Sequence, residues 1–512
     1  MKALCVIYGG RLAEPASDEV LPGKKSAFSL ALEAASRFPR VEKTVLFGLE
    51  GKEYPGNIET VLKSSWTVSS LLNELSISCA DYDFIYYFWA DCPLMDSELA
   101  GSMADRHIRY AAEYTYADGW PYGFAPELLS KQTIGILAKI SEKDDSQVER
   151  DAIFKVIQKD INAFDIETEI SSVDLRHYRL TLAADSKRNL LLVKNLMEAG
   201  LKSVKDAEKI LIENPGLLRT LPCFFSIQIL DSCPQSCSFC PLPKYGSNGE
   251  KRFIAAEDFS NLLDKIIAFA GDAVIDLSLW GEPALHPEKI KLIEMVLERP
   301  ELSLIVETSG IGWNNEDLKG LSQYPAAPRH NYMAPLSWIV SLDAHDPDRY
   351  KEIRGPGFAE ARTCAKTLMD LFPGNTYVQA LRVKGSEDDI EHFFRYWKEE
   401  AGGSTNHIII QKYNDFCGAL PKLQASDLSP LKRRPCWHII RDMVILIDGN
   451  VPVCREDLGA LKGNADRGIL GNIFTEDPGL IWERGASLYM KHCNAIHEGI
   501  CSNCDEYYTY NF

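Results

Sequence analysis

Apolar segments alternate with amphipathic segments along the first 198 residues. Residues 2–8, 44–47 and 84–90 are almost wholly apolar and predict buried strands, and residues 27–36 have the spacing of a helix. Alternating strands and helices are typical of α/β domains. We therefore predict an α/β domain over residues 1–198.

A helical run and a stop signal follow this domain. Residues 204–212 have helical periodicity, and Asn214-Pro215-Gly216 ends the helix before a new strand begins at Cys223. These features predict a linker helix over residues 199–221.

The stretch from residue 222 to residue 425 repeats a strand–helix unit. Six strands are predicted, at residues 223–230, 274–280, 302–308, 338–343, 376–383 and 407–412. One of the amphipathic helices between them has an apolar face made of Phe259, Leu262, Leu263, Ile266 and Ile267. Repeated strand–helix units predict a parallel sheet, here a partial (β/α)6 barrel of the TIM type.

Residues 430–512 are short of long periodic segments. Cysteines are frequent there, and residues 444–454 predict a hairpin around the turn Asp448-Gly449-Asn450. A small domain held together by a metal cluster fits this segment better than a domain with a large apolar core.

The charge and composition of the chain exclude some classes of binding partner. A formal net charge of −18 argues against a sequence-independent grip on nucleic acid and against binding to an anionic membrane. The first eight residues are too short an apolar run for a secretion signal, so we expect a cytoplasmic protein. The chain has 14 cysteines. In a large cytoplasmic protein, cysteines more often bind metals, take part in catalysis or lie buried in the core than form disulfides.

Three of these cysteines lie close together just after the first predicted barrel strand. Cys233, Cys237 and Cys240 have the spacing Cys-x3-Cys-x2-Cys on one loop at the carboxyl end of the sheet. A zinc site or an ordinary ferredoxin cluster normally has four protein ligands, whereas three thiols leave one iron of a cubane open. Zinc or a group of buried thiols is the alternative.

With Phe239 directly before the third cysteine, this segment resembles the motif of the radical S-adenosylmethionine (SAM) superfamily. The resemblance implies that the three cysteines hold a catalytic [4Fe–4S] cluster and that SAM chelates its open iron. It further implies reductive cleavage of SAM to methionine and a 5′-deoxyadenosyl radical that removes a hydrogen atom from the substrate.

Segments after the later strands resemble the SAM-binding segments of the same superfamily. Gly281-Glu282-Pro283 resembles the family's Gly-Gly-Glu-Pro, with Trp280 in place of the first glycine, and implies that Glu282 receives the SAM ammonium. Ser341 and Arg354 match positions that contact the carboxylate or ribose of SAM in peptide-modifying members. Ser309 departs from the family pattern.

Four further cysteines, Cys436, Cys454, Cys501 and Cys504, resemble the SPASM domain in its shorter twitch form. The resemblance implies a second, auxiliary [4Fe–4S] cluster with every iron held by the protein. A structural zinc site is the alternative. Cys417 and Cys493 are expected to be structural, and no role is assigned to Cys5, Cys79, Cys92, Cys223 and Cys364.

The amino-terminal domain resembles nucleotidyltransferases of the glycosyltransferase-A (GT-A) type. The resemblance lies in Gly9-Gly10-Arg11, in residues 22–25 and in Asp91, and it implies that Asp91 binds Mg²⁺ beside a nucleotide. Where relatives place a second metal-binding aspartate this chain has Ala183, and Asp185 lies two residues later. We therefore expect a degenerate domain that binds a nucleotide-linked ligand or serves as a scaffold.

The order of the three parts resembles the spirochaete-type SPASM proteins. This resemblance implies a radical SAM enzyme but not its substrate. The resemblance of the segment from Ser341 to Arg354 to peptide-modifying members leads us to expect a peptide or protein side chain as substrate, with flavodoxin or ferredoxin as electron donor. Oxidation of a sugar, a cyclitol or a nucleotide sugar is the alternative substrate chemistry. From another class, the chain could be a nucleotidyltransferase or a binding protein with a structural metal site.

Overall fold

The structure is a computed structural model that describes residues 1–54, 58–246, 251–329, 333–400, 402, 404–426, 428–462 and 468–509. The chain divides into two compact units, Met1–Thr220 and Leu221–Phe512. Residues 199–220, most of the predicted linker, belong to the first unit. The predicted division into residues 1–198, 199–221, 222–425 and 430–512 as functional segments stays a prediction.

The first unit has a mixed sheet with the strand order β3-β2-β1-β4-β6-β5-β7. Its strands are β1 (Ala3–Tyr8), β2 (Val41–Leu49), β3 (Glu59–Lys63), β4 (Phe84–Trp89), β5 (Tyr114–Asp118), β6 (Glu127–Ser130) and β7 (Ile166–Ile170). Strands β3, β2, β1 and β4 run parallel, and β6 is antiparallel to both β4 and β5. Every residue of β1 and β4 is buried, because these central strands are covered on both faces.

Helices lie between and after these strands, and several begin at a residue whose side chain caps the first turn. They are α1 (Ala27–Ala35), α2 (Val68–Ser78), α3 (Ser97–Arg109), α4 (Lys131–Ile140), α5 (Ala152–Ile157), α6 (Lys187–Glu198) and α7 (Val204–Glu213). Ser26, Thr67 and Asp96 each accept a hydrogen bond from the first turn of the helix that follows. The α/β class predicted from the sequence is confirmed for this unit.

The second unit is built on an open, all-parallel sheet with the strand order β13-β12-β11-β10-β9-β8-β14. Its strands are β8 (Phe224–Ile227), β9 (Ala273–Asp276), β10 (Leu302–Thr308), β11 (Leu336–Ser341), β12 (Thr376–Arg382), β13 (Ile408–Lys412) and β14 (Asp442–Ile445). The six predicted barrel strands are confirmed within a few residues at each end. The seventh, β14, was predicted as a hairpin strand and not as a strand of the barrel.

Several helices follow the strands of this unit. They are α8 (Leu242–Tyr245), α9 (Ala256–Ala270), α10 (Lys289–Leu297), α11 (Asn315–Leu321), α12 (Pro347–Arg354), α13 (Phe358–Leu371), α14 (Glu387–Glu400), α15 (Trp437–Arg441), α16 (Pro478–Arg484) and α17 (Ala486–Cys493). The predicted apolar face of α9 is confirmed, since Phe259, Leu262, Leu263 and Ile266 are buried in the main core and Ile267 packs against it. No helix in the described ranges is long and apolar enough to cross a membrane.

The hairpin predicted over residues 444–454 is wrong. Strand β14 pairs in parallel with β8, while β15 (Asn450–Pro452) pairs antiparallel with β16 (Ile469–Asn472). The predicted turn does form, because Leu446 N donates to Asn450 O at 2.9 Å and Gly449 has a φ of +82°. The apolar strand before the turn instead buries itself beside β8, where a long-range parallel partner is available.

Candidate active site at the mouth of the barrel

A cavity of about 550 Å³ lies at the carboxyl ends of the barrel strands. Parallel strands end at the same edge of a sheet, so the loops that follow them meet there. Eight predicted site residues border the cavity: Cys233, Cys237, Phe239, Cys240, Gly281, Glu282, Ser341 and Arg354. Pro283 is not among the residues that border it, and begins a short 3-10 helix, Pro283–Leu285.

The cysteine loop after β8 is held against the end of α12. Backbone N–H groups of Ser236 and Ser238 donate to the carbonyl oxygens of Arg354, at 3.3 Å, and Ile353, at 3.1 Å. The side chain of Gln235 donates to the hydroxyl of Tyr350 at 2.8 Å. A loop that carries three thiols is therefore ordered by a helix more than 100 residues later in the chain.

Arg354 connects this loop to the end of β11. Its guanidinium forms an ion pair with Asp343, its Nε donates to Gln235 Oε1 at 2.8 Å, and it lies 5.9 Å from the centre of the Phe239 ring. Asp343 has a φ of +61°, in the left-handed region that aspartate tolerates better than most residues. Arg354 is only 7% exposed, so it supports the wall of the cavity as well as bordering it.

Glu282 connects the loop after β9 with the loop after β10. Its carboxylate accepts hydrogen bonds from Ser309 N at 2.7 Å, from Ala284 N at 3.2 Å and from the hydroxyl of Thr308. Burial raises the pKa of Glu282, and these hydrogen bonds oppose the rise. Gly281 before it has no room for a side chain, since a Cβ there would lie 2.4 Å from the carbonyl oxygen of Leu230.

Ser341 lies in a polar group that the sequence analysis missed. Its hydroxyl donates to Glu307 Oε1 at 2.8 Å, and Gln379 Nε2 donates to the same oxygen at 2.8 Å. Burial raises the pKa of Glu307. A charged residue near the end of an otherwise apolar strand was the available signal for Glu307.

The three thiols of the loop have the chemistry that an iron–sulfur cluster requires. Burial raises the pKa of Cys233 to about 12 and that of Cys240 to about 11, and it also raises the pKa of Cys237. Binding of a cationic cluster there would thus release protons. Among the described residues, no three His, Cys, Asp or Glu side chains stand close enough together to ligate a single metal ion.

The second predicted set of cysteines surrounds a much smaller space of about 20 Å³. Cys436 precedes α15, Cys454 follows β15, and Cys501 and Cys504 lie at the end of the described chain. Each of the other three thiols contributes to the rise in the pKa of Cys454, whose main cause is burial. The fold therefore brings together four thiols that are up to 68 positions apart in sequence.

A fifth cysteine joins this set. Cys417 borders the same space, and a hydrogen bond with Cys504 is the first cause of its raised pKa. It lies in a tight loop after β13, where Phe416 and Cys417 have φ values of +50° and +58°. The sequence analysis expected Cys417 to be structural because it has no cysteine close by in the chain. Cys493, at the end of α17, does not border the space.

The cavity and the second set of thiols share a wall. His438, Arg455, Glu456 and Glu506 border both spaces. Burial raises the pKa of Glu456 to about 7, and Asn414 donates to its carboxylate at 2.9 Å. Polar side chains, rather than apolar ones, thus separate the two sets of cysteines.

In the first unit the predicted metal ligand Asp91 is bound by an arginine. Arg150 donates to Asp91 at 2.7 Å and to Asp185 at 2.9 Å. Although Asp185 lies two residues after the position of the second aspartate in relatives, it is brought beside Asp91, because Ala184 N donates to the carbonyl oxygen of Asp91 at 2.8 Å.

Comparison with known proteins identifies the class of the second unit. The family model "Radical SAM superfamily" matches residues 227–396, which include the cysteine loop, Glu282, Ser341 and Arg354. An uncharacterised protein of Treponema pallidum (strain Nichols) is 35% identical over 369 residues, covering 70% of this chain and 98% of that protein. The chain belongs to the radical SAM superfamily, whose members use SAM and a [4Fe–4S] cluster.

Two further similarities are more limited. The sporulation killing factor maturation protein SkfB of Bacillus subtilis (strain 168) is 25% identical over 154 residues, which cover 29% of this chain and 33% of SkfB. The crystal structure of Streptococcus suis SuiB bound to precursor peptide SuiA has a TM-score of 0.40 and 16% identity, covering 55% of this chain and 71% of SuiB.

Proposed function

We propose that this chain is a radical SAM enzyme that removes a hydrogen atom from a peptide or protein side chain. The observation that carries the proposal is the loop with Cys233, Cys237 and Cys240 at the edge of a cavity of about 550 Å³. Cysteine thiolates are the usual ligands of iron–sulfur clusters, and three of them leave one iron of a [4Fe–4S] cluster open for SAM. The cavity offers room for SAM and for part of a substrate.

The proposed roles follow from these positions. The three cysteines would hold the [4Fe–4S] cluster, Glu282 would receive the SAM ammonium, and Ser341 and Arg354 would contact its carboxylate or ribose. Phe239, Gly281 and Pro283 would shape the pocket. When bound, the cluster and SAM together supply the electron transfer that yields methionine and a 5′-deoxyadenosyl radical.

The chain's own side chains supply order and charge at this site. Gln235 and Arg354 hold the cysteine loop, so the three thiols are positioned before any cofactor binds. Glu282 offers a buried carboxylate, which is a suitable partner for an ammonium group. Asp276, Glu307 and Arg455 add charge to the cavity lining and suit a polar substrate.

Two observations favour a peptide or protein as the substrate. The segment from Ser341 to Arg354 resembles that of peptide-modifying members of the superfamily. The similarity to a sporulation killing factor maturation protein supports the same class.

We further propose an auxiliary [4Fe–4S] cluster on Cys436, Cys454, Cys501 and Cys504. Their thiols border one small space that shares a polar wall with the cavity, which would suit transfer of an electron to or from the substrate. Flavodoxin or ferredoxin would supply electrons, and a cytoplasmic location would fit such a donor. Iron analysis tests this proposal: a reconstituted C454S variant should hold about four irons per chain against about eight in the wild type.

A second candidate substrate is an alcohol of a sugar, a cyclitol or a nucleotide sugar. Glu307 favours it, because a partly buried carboxylate with a raised pKa beside the cavity can accept a proton from a hydroxyl group. The presence of one additional group of clustered thiols also suits a two-electron oxidation.

The first experiment measures SAM cleavage. The full chain is purified without oxygen, reconstituted with iron and sulfide and reduced with dithionite, and 5′-deoxyadenosine is quantified. Product in the wild type and none in C237A supports the proposal. Bound zinc, no iron–sulfur absorbance and no product would contradict it and would favour a structural metal site.

The second experiment separates the substrate classes. A deuterated lysate is divided into a peptide and protein fraction and a small-molecule fraction, and each is incubated with the enzyme and unlabelled SAM. Deuterium in 5′-deoxyadenosine from the first fraction alone, abolished by protease treatment, supports a peptide or protein. Deuterium from the small-molecule fraction alone would contradict that assignment and favour the alcohol.

A further inference from the structure

Two aspartates in the first unit share one arginine. Asp91 follows β4, and Asp185 precedes α6. Arg150 donates to both oxygens of Asp91, at 2.7 and 3.2 Å, and to Asp185 at 2.9 Å. The side chain of Asp91 is 2% exposed and that of Arg150 is 16% exposed, so the three charges form a mostly buried group.

Aromatic rings hold the same guanidinium from its other sides. Its carbon lies 4.7 Å from the centre of the Trp89 ring and 5.0 Å from that of Tyr122. Nη1 also donates to the hydroxyl of Tyr122 at 3.0 Å. Cation–π contacts and hydrogen bonds together fix Arg150 between the two carboxylates.

The glycine loop after β1 is also closed by this unit's own side chains. A Cβ at Gly10 would lie 2.6 Å both from the Trp66 ring and from the hydroxyl of Tyr8. The ring of Tyr8 in turn packs edge-on against Trp89, with 4.8 Å between centroids. Side chains therefore occupy the region that the nucleotidyltransferase resemblance assigns to a nucleotide.

These residues do not fit a divalent cation. Mg²⁺ requires an octahedral shell of oxygen ligands at about 2.1 Å, which a guanidinium between two carboxylates prevents. Arginine stays charged at every pH of interest, and its planar donors match two carboxylates at once. A change of pH therefore does not remove the guanidinium from its position between the two carboxylates.

We propose that Arg150 takes the place of the divalent cation between Asp91 and Asp185, and that the amino-terminal unit carries out no metal-dependent nucleotidyl transfer. The reason differs from the one that the sequence suggested. A second carboxylate is present after all, and an internal cation neutralises it together with the first. This inference is independent of the function proposed for the barrel.

Mn²⁺ binding to the full chain tests the proposal, with the electron paramagnetic resonance signal of free Mn²⁺ as the readout. Wild type and D91N should bind the same amount of Mn²⁺. R150A should bind one more ion per chain than the wild type, because two carboxylates then become available. The Kd of this ion should be about tenfold or more below that of any Mn²⁺ bound by the wild type. The double variant R150A/D91N should lose that additional ion.

Arg176 offers a matched control. It also bridges two aspartates, Asp118 at 3.0 Å and Asp174 at 2.8 Å, but its side chain is 58% exposed. R176A removes the same charge from the same unit and should gain no Mn²⁺, since its carboxylates are hydrated rather than fixed around one position.

Two results would overturn the proposal. The first is a Mn²⁺ ion in the wild type that D91N removes. The second is an R150A variant that has a native circular dichroism spectrum and gains no ion, which would show that the pair never was a cation position. If R150A does not fold, the comparison of wild type with D91N decides alone.

Discussion

Arg354 in the barrel and Arg150 in the first unit are both largely buried, and both bind an aspartate that follows a parallel strand. Beside Arg354 a cavity of about 550 Å³ stays open, with Gly281, Ser309 and Ser341 among the small residues on its border. Around Arg150, Trp89 and Tyr122 fill the space. The same kind of ion pair therefore supports the wall of a cavity in one unit and closes a site in the other. The size of the neighbouring side chains decides which of the two results.

The largest expected effect is at the open site. C237A should abolish formation of 5′-deoxyadenosine from SAM, because the cluster loses one of three ligands on the loop. Product analysis by liquid chromatography measures the loss. C493S, which changes a cysteine outside both sets, serves as the control and should keep wild-type activity; product from C237A equal to that of the control would break the assignment.

The second largest effect is expected in R354A, which tests whether Arg354 supports the wall of the cavity. R354A leaves the buried carboxylate of Asp343 unpaired and frees the cysteine loop, at a cost of about 3–5 kcal/mol in the free energy of unfolding. Urea unfolding followed by tryptophan fluorescence measures this change. R354K should recover part of the stability, since it keeps the charge but loses the Nε bond to Gln235. An R354A variant as stable as the wild type would argue against a supporting role.

A smaller effect is expected from the carboxylate proposed for the SAM ammonium. E282Q keeps the size of the side chain but removes its charge, so the Kd for SAM should rise about tenfold. Isothermal titration of the reconstituted enzyme with SAM measures it. E288Q, at a half-exposed position outside the cavity, should leave the Kd unchanged; an unchanged Kd in E282Q would move the ammonium site elsewhere.

The smallest effect concerns a partly buried carboxylate of the first unit that accepts a hydrogen bond from Tyr114 rather than from an arginine. Burial raises the pKa of Glu127 to about 7. The folded chain then keeps a proton that the unfolded chain has lost, so stability falls as pH rises from about 4.5 to about 7. E127Q should remove this dependence on pH. Between pH 4.5 and 7 its free energy of unfolding should therefore increase relative to that of the wild type by on the order of 1 kcal/mol. A stability difference that does not change between pH 4.5 and 7 would contradict this.

Much of this architecture follows from local patterns in the sequence. Apolar runs bounded by turns predict β1, β4 and six of the seven barrel strands, and helical periodicity predicts the buried face of α9. Three closely spaced cysteines predict the site because their spacing is itself the signal. These features depend on neighbours in the chain, which a single sequence displays.

Features that depend on distant partners could not be predicted in this way. Strand β14 has the composition of a hairpin strand, and only its partner β8 decides that it joins the barrel. Cys417 has no close cysteine, yet it lies against Cys504. Arg150 is 59 positions from Asp91 and 35 from Asp185, so nothing local indicates that it neutralises both.

The pairing of β14 with β8 also has a consequence for the order of synthesis. Phe224 pairs with Asp442, so the ribosome must add some 200 further residues before β8 gains this neighbour. At about 5–20 residues per second, the strand that leads into the cysteine loop keeps one open edge for about 10–40 s. During that interval the exposed edge can pair with other nascent chains. A chaperone or a cluster-delivery protein that covers this edge would have its longest opportunity then, before the end of the chain is made.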